Sequence, residues 1–399
     1  MAIAVPDVLD DDMDYGLDEC DDLDGQLARL RERAPAAWVR CFGRPAVLFS
    51  SFELVNAAFK DEATFPSAEF YANTVTDVMG RNIQCMEGTE HKLNRALVSP
   101  GFRQRLMPGI IGPLLEPVAH ELIDRFESRG DADLVAEFTR RYPAKVILAM
   151  LGLPQTDEND VTRWALGMLD MQRGHDAAMS CAREFEQYVQ PHLDERRVHP
   201  GDDLLSKLAT EEIDGTRLTD TEIFAFLKLL FPAGADTTYL GLGSTLYALL
   251  THPTERAKMV ADPAGCAARA AEEGLRWSPP VPLLPRQNRA DVHWHGVDIP
   301  AGTPLLFGIG AANRDPAVFT DPDTYDIDRS IPNTLTFGLG VHYCLGAHLA
   351  RTEMTIALRV IFERLPRLRL VDDGDGEVRI TGAFVQLLRG PNRLPVRFD

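Results

Sequence analysis

Positive charge is in short supply. Lys and Arg number 41 against 60 Asp and Glu, a formal net charge of −19 over 399 residues. Such a surface repels phosphate, so neither nucleic acid nor an anionic membrane is expected as a partner. The six cysteines (Cys20, Cys41, Cys85, Cys181, Cys266 and Cys344) contain no Cys-x-x-Cys pair and no zinc-type spacing. Without a disulfide framework, a reducing cytoplasm is the expected location. The start, Met1-Ala-Ile-Ala-Val-Pro6, has neither a basic region nor a long apolar core, so no signal peptide is read there. Ile223–Leu250 is the one stretch that invites a membrane reading. It carries Lys228, Pro232, Gly234, Asp236 and Gly241, which argue for a buried helix of a large protein. No repeat period is present.

What remains is ordinary for a globular protein, 45% hydrophobic and 25% charged. Residues 1–25 read as an acidic, flexible arm, because Asp7–Asp24 has few large apolar residues. Residues 26–399 read as one domain. A short helix is expected over Leu27–Arg33, a hairpin over Trp38–Phe49, and a helix over Phe52–Phe59 capped by Ser51. Residues 66–85 lose periodicity and read as a long loop with apolar residues. Four amphipathic helices follow, over Leu115–Phe126, Leu134–Leu151, Asp157–Met171 and Ala178–Arg196, in a run from Ile110 to Gly201. Val292–Ile299 and Pro304–Phe307 read as strands, with His293 and His295 exposed on them rather than ligating a metal.

Two stretches carry chemistry. The first is Phe337-Gly-Leu-Gly-Val-His-Tyr-Cys-Leu-Gly-Ala-His-Leu-Ala-Arg351, placed after the extended run that begins at Pro332 and before a helical pattern, Leu345–Leu365. Cys344 falls at or just before a helix start, where free N–H groups favour a thiolate. Gly338 and Gly340 permit left-handed backbone, and Gly346 lets a flat ligand approach the chain. Phe337 can cover one side of the sulfur. The alternative is a buried cysteine beside a glycine turn.

The second is Phe231-Pro-Ala-Gly-Ala-Asp-Thr-Thr238, inside a long helix opened by Thr219-Asp-Thr-Glu222 with capping-box spacing. Pro232 cannot donate to the carbonyl four residues back and Gly234 loosens the same turn, so a kink or widened turn is expected. Asp236 and Thr237 place a carboxylate and a hydroxyl in an apolar helix, which calls for a partner or a purpose. The alternative is a helix distortion steadied by threonine, with the Asp paired elsewhere.

The first stretch resembles the haem-binding loop of the cytochrome P-450 family, Phe-Gly-x-Gly-x-His-x-Cys-x-Gly. The second resembles the family's Ala-Gly-x-Asp/Glu-Thr motif. Glu90-His91-Lys-Leu-Asn-Arg95 and Glu273-Gly-Leu-Arg276 resemble two further family patterns in the same order along the chain. The resemblance runs from about Trp38 to Phe398. It implies a mainly α fold with a small β region, a triangular helical prism with haem b between the long helix and the Cys loop. It implies Cys344 as axial ligand, favouring O–O cleavage, with Ala233, Gly234, Phe337, Gly338 and Gly346 against the haem. His91, Arg95, Arg286 and His342 match propionate-binding positions, with Arg289 the competitor to Arg286. Asp236 and Thr237 match the proton-delivering acid and alcohol. Glu273 and Arg276 match a structural pair, for which Arg314 is a nearby partner.

The implied activity is monooxygenation, one oxygen atom from O2 entering a hydrophobic substrate. Coupling, desaturation or ring formation at the same site, or haem-based sensing, are the rivals. No flavin or iron–sulfur motif is present, so electrons are expected from a separate ferredoxin or flavodoxin with its NAD(P)H reductase. Arg351 could belong to its docking patch. Tyr71, Val75, Leu229, Ala233, Leu283, Leu284, Phe384 and Val385 are the expected pocket, the last two at the tip of a C-terminal hairpin. Met168, Met171 and Met179 are weaker pocket candidates. The working form is expected to be a cytoplasmic monomer.

Overall fold

The computed structural model describes residues 9–106, 112–155, 158–172, 174–331, 333–372, 374 and 376–398, without the side chains of 172 and 383–386. Ile110, Asp157 and Pro332, which bound three of the expected elements, lie outside these residues. The chain is mostly helical with small sheets, and it divides into two compact units. One comprises Met1–Phe70, Leu240–Cys344 and Asp372–Leu394. The other comprises Tyr71–Tyr239, Leu345–Val371 and Pro395–Asp399.

The first unit is built on a four-stranded sheet ordered Ala36–Cys41, Arg44–Phe49, Pro304–Gly308, Leu283–Gln287. Its middle pair is parallel and its outer pairs antiparallel. Both faces are covered. Val47, Phe49, Leu305 and Phe307 pack into one cluster, while Ala46, Leu48 and Leu306 pack into the other. Period-two alternation between two cores explains why Ala46–Phe49 is apolar throughout. The expected hairpin forms, turning through Phe42 and Gly43 with φ of 51° and 72°. Paired left-handed residues of this kind match the twist of the strands. Val292–Ile299, expected as one strand beside Pro304–Phe307, is instead a hairpin of its own. Val292–Trp294 pairs with Val297–Ile299, and His295 sits in its turn at φ 46° rather than on a strand, while Pro304–Gly308 joins the four-stranded sheet.

The acidic segment departs from expectation over the residues described. Asp14 caps the hairpin turn, accepting from the backbone N–H of Phe42 at 2.9 Å and Gly43 at 2.6 Å. Tyr15 is fully buried and donates to Asp11 at 2.7 Å. The segment is anchored by its carboxylate acceptors together with the buried Tyr15 and the flanking Leu9 and Met13, individual contacts that composition does not register. Asp22 then caps a helix, Leu23–Arg33, longer than the expected one.

The same unit contains the pair Glu273–Arg276, fully buried on the helix Pro263–Trp277. Arg276 donates twice to Glu273, at 2.8 and 2.7 Å, and to the carbonyls of Asn313, Pro322 and Thr324 at 3.0, 2.8 and 3.1 Å. Arg329 joins the cluster, its Nε 3.0 Å from Glu273 Oε1. This corrects the expected partner. Arg314 instead stacks on Trp277 at 4.7 Å and pairs with Asp24 and Asp323.

The second unit packs helices Gly112–Asp124, Arg141–Met150, Glu158–Leu169, His175–Val198 and Ala347–Arg364 with the first part of the long helix. Residues 66–85, expected to be a loop, hold helices Ser67–Thr74 and Thr76–Met79 and a 3-10 turn at Ile83–Cys85. These pieces are too short to show helical periodicity. The expected capping box is present, Thr219 and Glu222 each accepting from the other's backbone N–H. At Pro232–Asp236 the helix widens into a π turn before resuming over Thr237–Thr251, as the missing proline N–H predicts. No helix among the described residues is long and apolar enough to cross a membrane.

Two outcomes follow from the buried charges. Arg276→Lys supplies three donors where the guanidinium uses all of its own, and should cost about 3–5 kcal/mol in urea unfolding. The same change at Arg314, whose acidic partners are exposed, should cost less. Glu353 on the helix Ala347–Arg364 is buried, with no hydrogen-bond partner at Oε2. Burial pushes its carboxyl well above the ordinary range. The folded chain therefore keeps a proton that the unfolded chain releases above about pH 4.3. Stability is full below that pH and falls as pH rises toward the folded value. Glu353→Gln removes this titration. The melting-temperature advantage of the variant should widen from about pH 5 to about pH 8, and a constant difference would contradict the account.

Candidate functional site

The cysteine loop belongs to the first unit. It is a short 3-10 turn, Gly340–His342, between left-handed glycines and Cys344. Gly338 and Gly340 have φ of 66° and 73°, so the backbone itself requires glycine there. The loop is closed by Cys344 N–H donating to Phe337 O at 2.9 Å, and by Tyr343 N–H donating to Gly340 O at 3.1 Å. Cys344 is exposed, whereas Cys41, Cys85 and Cys266 are buried. The alternative of a buried thiol is thereby excluded.

A line of bonds holds this loop to the Glu273–Arg276 cluster. Arg276 fixes the Asn313 carbonyl. The Asn313 side chain accepts from Leu335 N–H and donates to Thr336 Oγ1, both at 2.8 Å. Thr336 in turn donates to Leu275 O at 2.8 Å. Asn313 and Arg329 were missed by sequence reasoning. Asn313 lies in the very stretch from which Arg314 was chosen, and Asp326-Ile-Asp-Arg329 shows no pattern pointing at Glu273.

Arg286 sits on the strand Leu283–Gln287, buried, with its guanidinium 5.7 Å from the ring centre of Phe307. Its competitor Arg289 is exposed and lies 3.2 Å from Glu69. His342 Nε2 is 3.2 Å from Glu62 Oε1. Burial alone would push Glu62 up, but bonds from His342 and the Ser67 backbone N–H hold its carboxyl below the ordinary value. Of the expected pocket residues in this unit, Leu284 is half-buried. Leu283 is fully buried in a core cluster, because adjacent strand residues point to opposite faces. It is withdrawn from the pocket. Phe384 pairs with Leu388 in the C-terminal hairpin, whose tip therefore lies beyond Val385. The side chains of Phe384 and Val385 lie outside the described residues.

The second unit holds the other expected residues: Tyr71, Val75, His91, Arg95, Leu229, Ala233, Gly234, Asp236, Thr237 and Gly346. His91 is buried on the helix Gly88–Val98, with Arg95 half-buried one turn later. Tyr71 and Val75 are half-buried and Leu229 is buried. Met168 is fully buried, while Met171 and Met179 are half-buried. Arg351 is half-buried on the helix Ala347–Arg364.

The π turn gives the long helix an open strip. Ala233 is exposed, Gly234 and Thr237 are half-buried, and their neighbours Pro232, Ala235 and Asp236 are buried. Thr237 Oγ1 donates to Ala233 O at 2.6 Å, which leaves its lone pairs available. Asp236 is 2% exposed and its Oδ2 has no hydrogen-bond partner. Burial pushes its carboxyl up to about 7, and the charge of Arg140 opposes that rise. Arg140 is a third residue that sequence reasoning missed, since it reads there as one polar position of an amphipathic helix.

A haem group is tested against these residues on three observations. The exposed Cys344 supplies a soft thiolate donor. Gly346 has an ordinary φ of −85°, and a Cβ built on it would meet nothing within 4 Å. Neither backbone nor packing demands glycine there, whereas a flat group lying against the chain would. The orphaned Asp236 oxygen fits a site where protons are handled. The residues present fit the group.

The chain is similar to known proteins over most of its length. The cytochrome P450 family matches residues 162–262 and 268–390. The mycinamicin IV hydroxylase/epoxidase of Micromonospora griseorubida is 35% identical over 385 residues, covering 94% of this chain and 95% of that protein. The 6-deoxyerythronolide B hydroxylase of Saccharopolyspora erythraea is 34% identical over 389 residues, covering 93% and 95%. The solved cytochrome P450 of the Bacillus subtilis bacillaene polyketide synthase superposes with a TM-score of 0.85 at 32% identity, covering 95% and 97% of the two chains. With the loop, the widened helix and these likenesses together, the chain belongs to the cytochrome P450 family and is a haem-iron monooxygenase, an oxidoreductase.

Proposed function

We propose that Cys344 is the axial thiolate of a bound haem b, and that the enzyme hydroxylates or epoxidises an apolar natural product of the polyketide type. The observation that carries the reading is Asp236: a buried carboxylate with an orphaned oxygen, in a widened turn, followed at once by a threonine on the open strip. The polyketide class is supported by the relatives, one named as a polyketide biosynthesis cytochrome P450. Membership in the family implies separate redox proteins and a hydrophobic substrate. The proposed electron donor is a ferredoxin or flavodoxin with its NAD(P)H reductase, acting on a cytoplasmic monomer, and Arg351 contributes to the docking surface.

When bound, haem supplies the iron at which dioxygen is reduced and one oxygen is passed to substrate. The chain's own residues do the rest. Arg286, His91, Arg95 and His342 hold the propionates, with Phe337, Gly338, Ala233, Gly234 and Gly346 against the ring. Tyr71, Val75, Leu229, Ala233, Leu284, Phe384 and Val385 line the pocket. Two protons are needed to release water rather than peroxide. Asp236, whose carboxyl lies near 7, holds a proton at neutral pH and can also release one. Thr237 Oγ1, anchored to Ala233 O, accepts a hydrogen bond and fixes the path.

Product mass and coupling test this. A gain of one oxygen atom is expected, and loss of two hydrogens would support the coupling or desaturation rival. Thr237→Ala and Asp236→Asn should each divert NADH consumption into peroxide and cut product yield about 10²-fold. Unchanged coupling in both variants would contradict the proton-delivery assignment.

A further inference from the structure

What governs the charge of Asp236 can be found in the elements packed around it, an inference that rests on the proton-carrier reading above. The π turn packs on the helix Arg141–Met150 so closely that a Cβ on Gly234 would lie 2.9 Å from Ile147 Cδ1. On that helix Arg141 and Lys145 turn to Glu158, at 2.6 and 3.3 Å. Tyr142 responds to Glu353, Glu116 and Arg359. On Glu158–Leu169, Arg163 pairs with Asp160 and Glu184 at 3.4 and 2.9 Å. On Asp220–Phe231, Lys228 meets Glu186 at 2.5 Å, Asp220 pairs with Arg197, and Glu222 serves the helix cap.

Among the described residues this leaves Arg140. It stands at the junction between a second π turn, Val135–Thr139, and the helix Arg141–Met150. Its guanidinium lies 5.5 Å from the ring centre of Tyr239, and its Nε is buried without a hydrogen-bond partner. Tyr239 follows Asp236 by three residues, so the two share a helix face. Burial and then the Asp236 charge push the Tyr239 phenol up, and Arg140 pulls it down. Arg140 is likewise the one charge acting against the burial of Asp236.

We propose that Arg140, seated on the ring of Tyr239, is the positioning residue for Asp236: its fixed charge lets the buried carboxylate ionise, and so lets it give up a proton and regain one from water. Arg140 touches neither substrate nor cofactor in this account. It acts through Asp236, with Tyr239 as its platform. Only a proton moves, from Asp236 to the threonine side, and a proton from water replaces it.

Aspartate labelled with 13C at its side-chain carboxyl gives a direct readout, the resonance missing from Asp236→Asn being that of Asp236. In the holoenzyme it should titrate near 7. Arg140→Met should move the midpoint up by about one pH unit or more, and Arg140→Lys should restore most of the difference. The alkaline limb of kcat should move with it while KM stays put. Should Arg140→Met fail to fold, as judged by its melting curve, Arg140→Gln carries the same expectation. An unmoved midpoint in a folded Arg140 variant, or equal shifts in the Met and Lys variants, would overturn the proposal. The two readings fail separately. If Asp236→Asn leaves coupling intact, the proton-carrier reading falls. If Asp236→Asn uncouples turnover and the Arg140 variants leave the midpoint unmoved, only the role of Arg140 falls.

Discussion

A single buried cation fixes the cysteine loop. Arg276 is inaccessible to solvent and every N–H of its guanidinium has an acceptor. Removing a charge from water is tolerable only on such terms. The consequence reaches beyond the pair itself. Three of the acceptors are backbone carbonyls from residues 313, 322 and 324, so satisfying one arginine draws irregular chain into a defined path. Asn313 then passes that constraint to Leu335 and Thr336, immediately before the loop that ends at Cys344. The same bonds that compensate the charge hold the chain that leads into the loop carrying Cys344, the thiolate of the proposed function.

The long helix uses the opposite arrangement. Asp236 is as deeply placed as a core residue, yet one of its oxygens is left without a partner. A fully satisfied carboxylate would hold its charge and move no proton. Burial opposed by one arginine brings the carboxyl close to neutral pH instead, where it can bind or release a proton at little cost. Pro232 provides the geometry. Its missing N–H opens the helix at the point where the acid and the alcohol follow each other.

Most of this was legible in the sequence wherever a local rule governs. Proline in an apolar helix predicted the widened turn, Thr219 and Glu222 predicted the cap, and Gly338 and Gly340 predicted left-handed backbone. Other features depend on partners distant in the chain and carry no local sign. Arg329 rather than Arg314 completes the Glu273 cluster because the chain folds back there, not because of its neighbours. Arg140 looks like any polar position on an amphipathic helix until Tyr239 and Asp236 are brought beside it. The acidic segment before Leu23 was read from its lack of apolar bulk, but its aspartates bind backbone N–H groups of the hairpin it packs on. Short helices within residues 66–85 escaped notice because one or two turns are too few to display a period. Leu283 was misread for a related reason, since alternation on a strand separates neighbours that composition treats alike.

The assignment of Cys344 is tested most directly by the carbon monoxide difference spectrum of the reduced, freshly prepared protein. The account predicts a Soret band at the thiolate-ligated position, and its loss when Cys344 is replaced by alanine while Cys41, Cys85 and Cys266 are kept. A band at the histidine-ligated position in folded protein, or a thiolate band that survives Cys344→Ala, would contradict it.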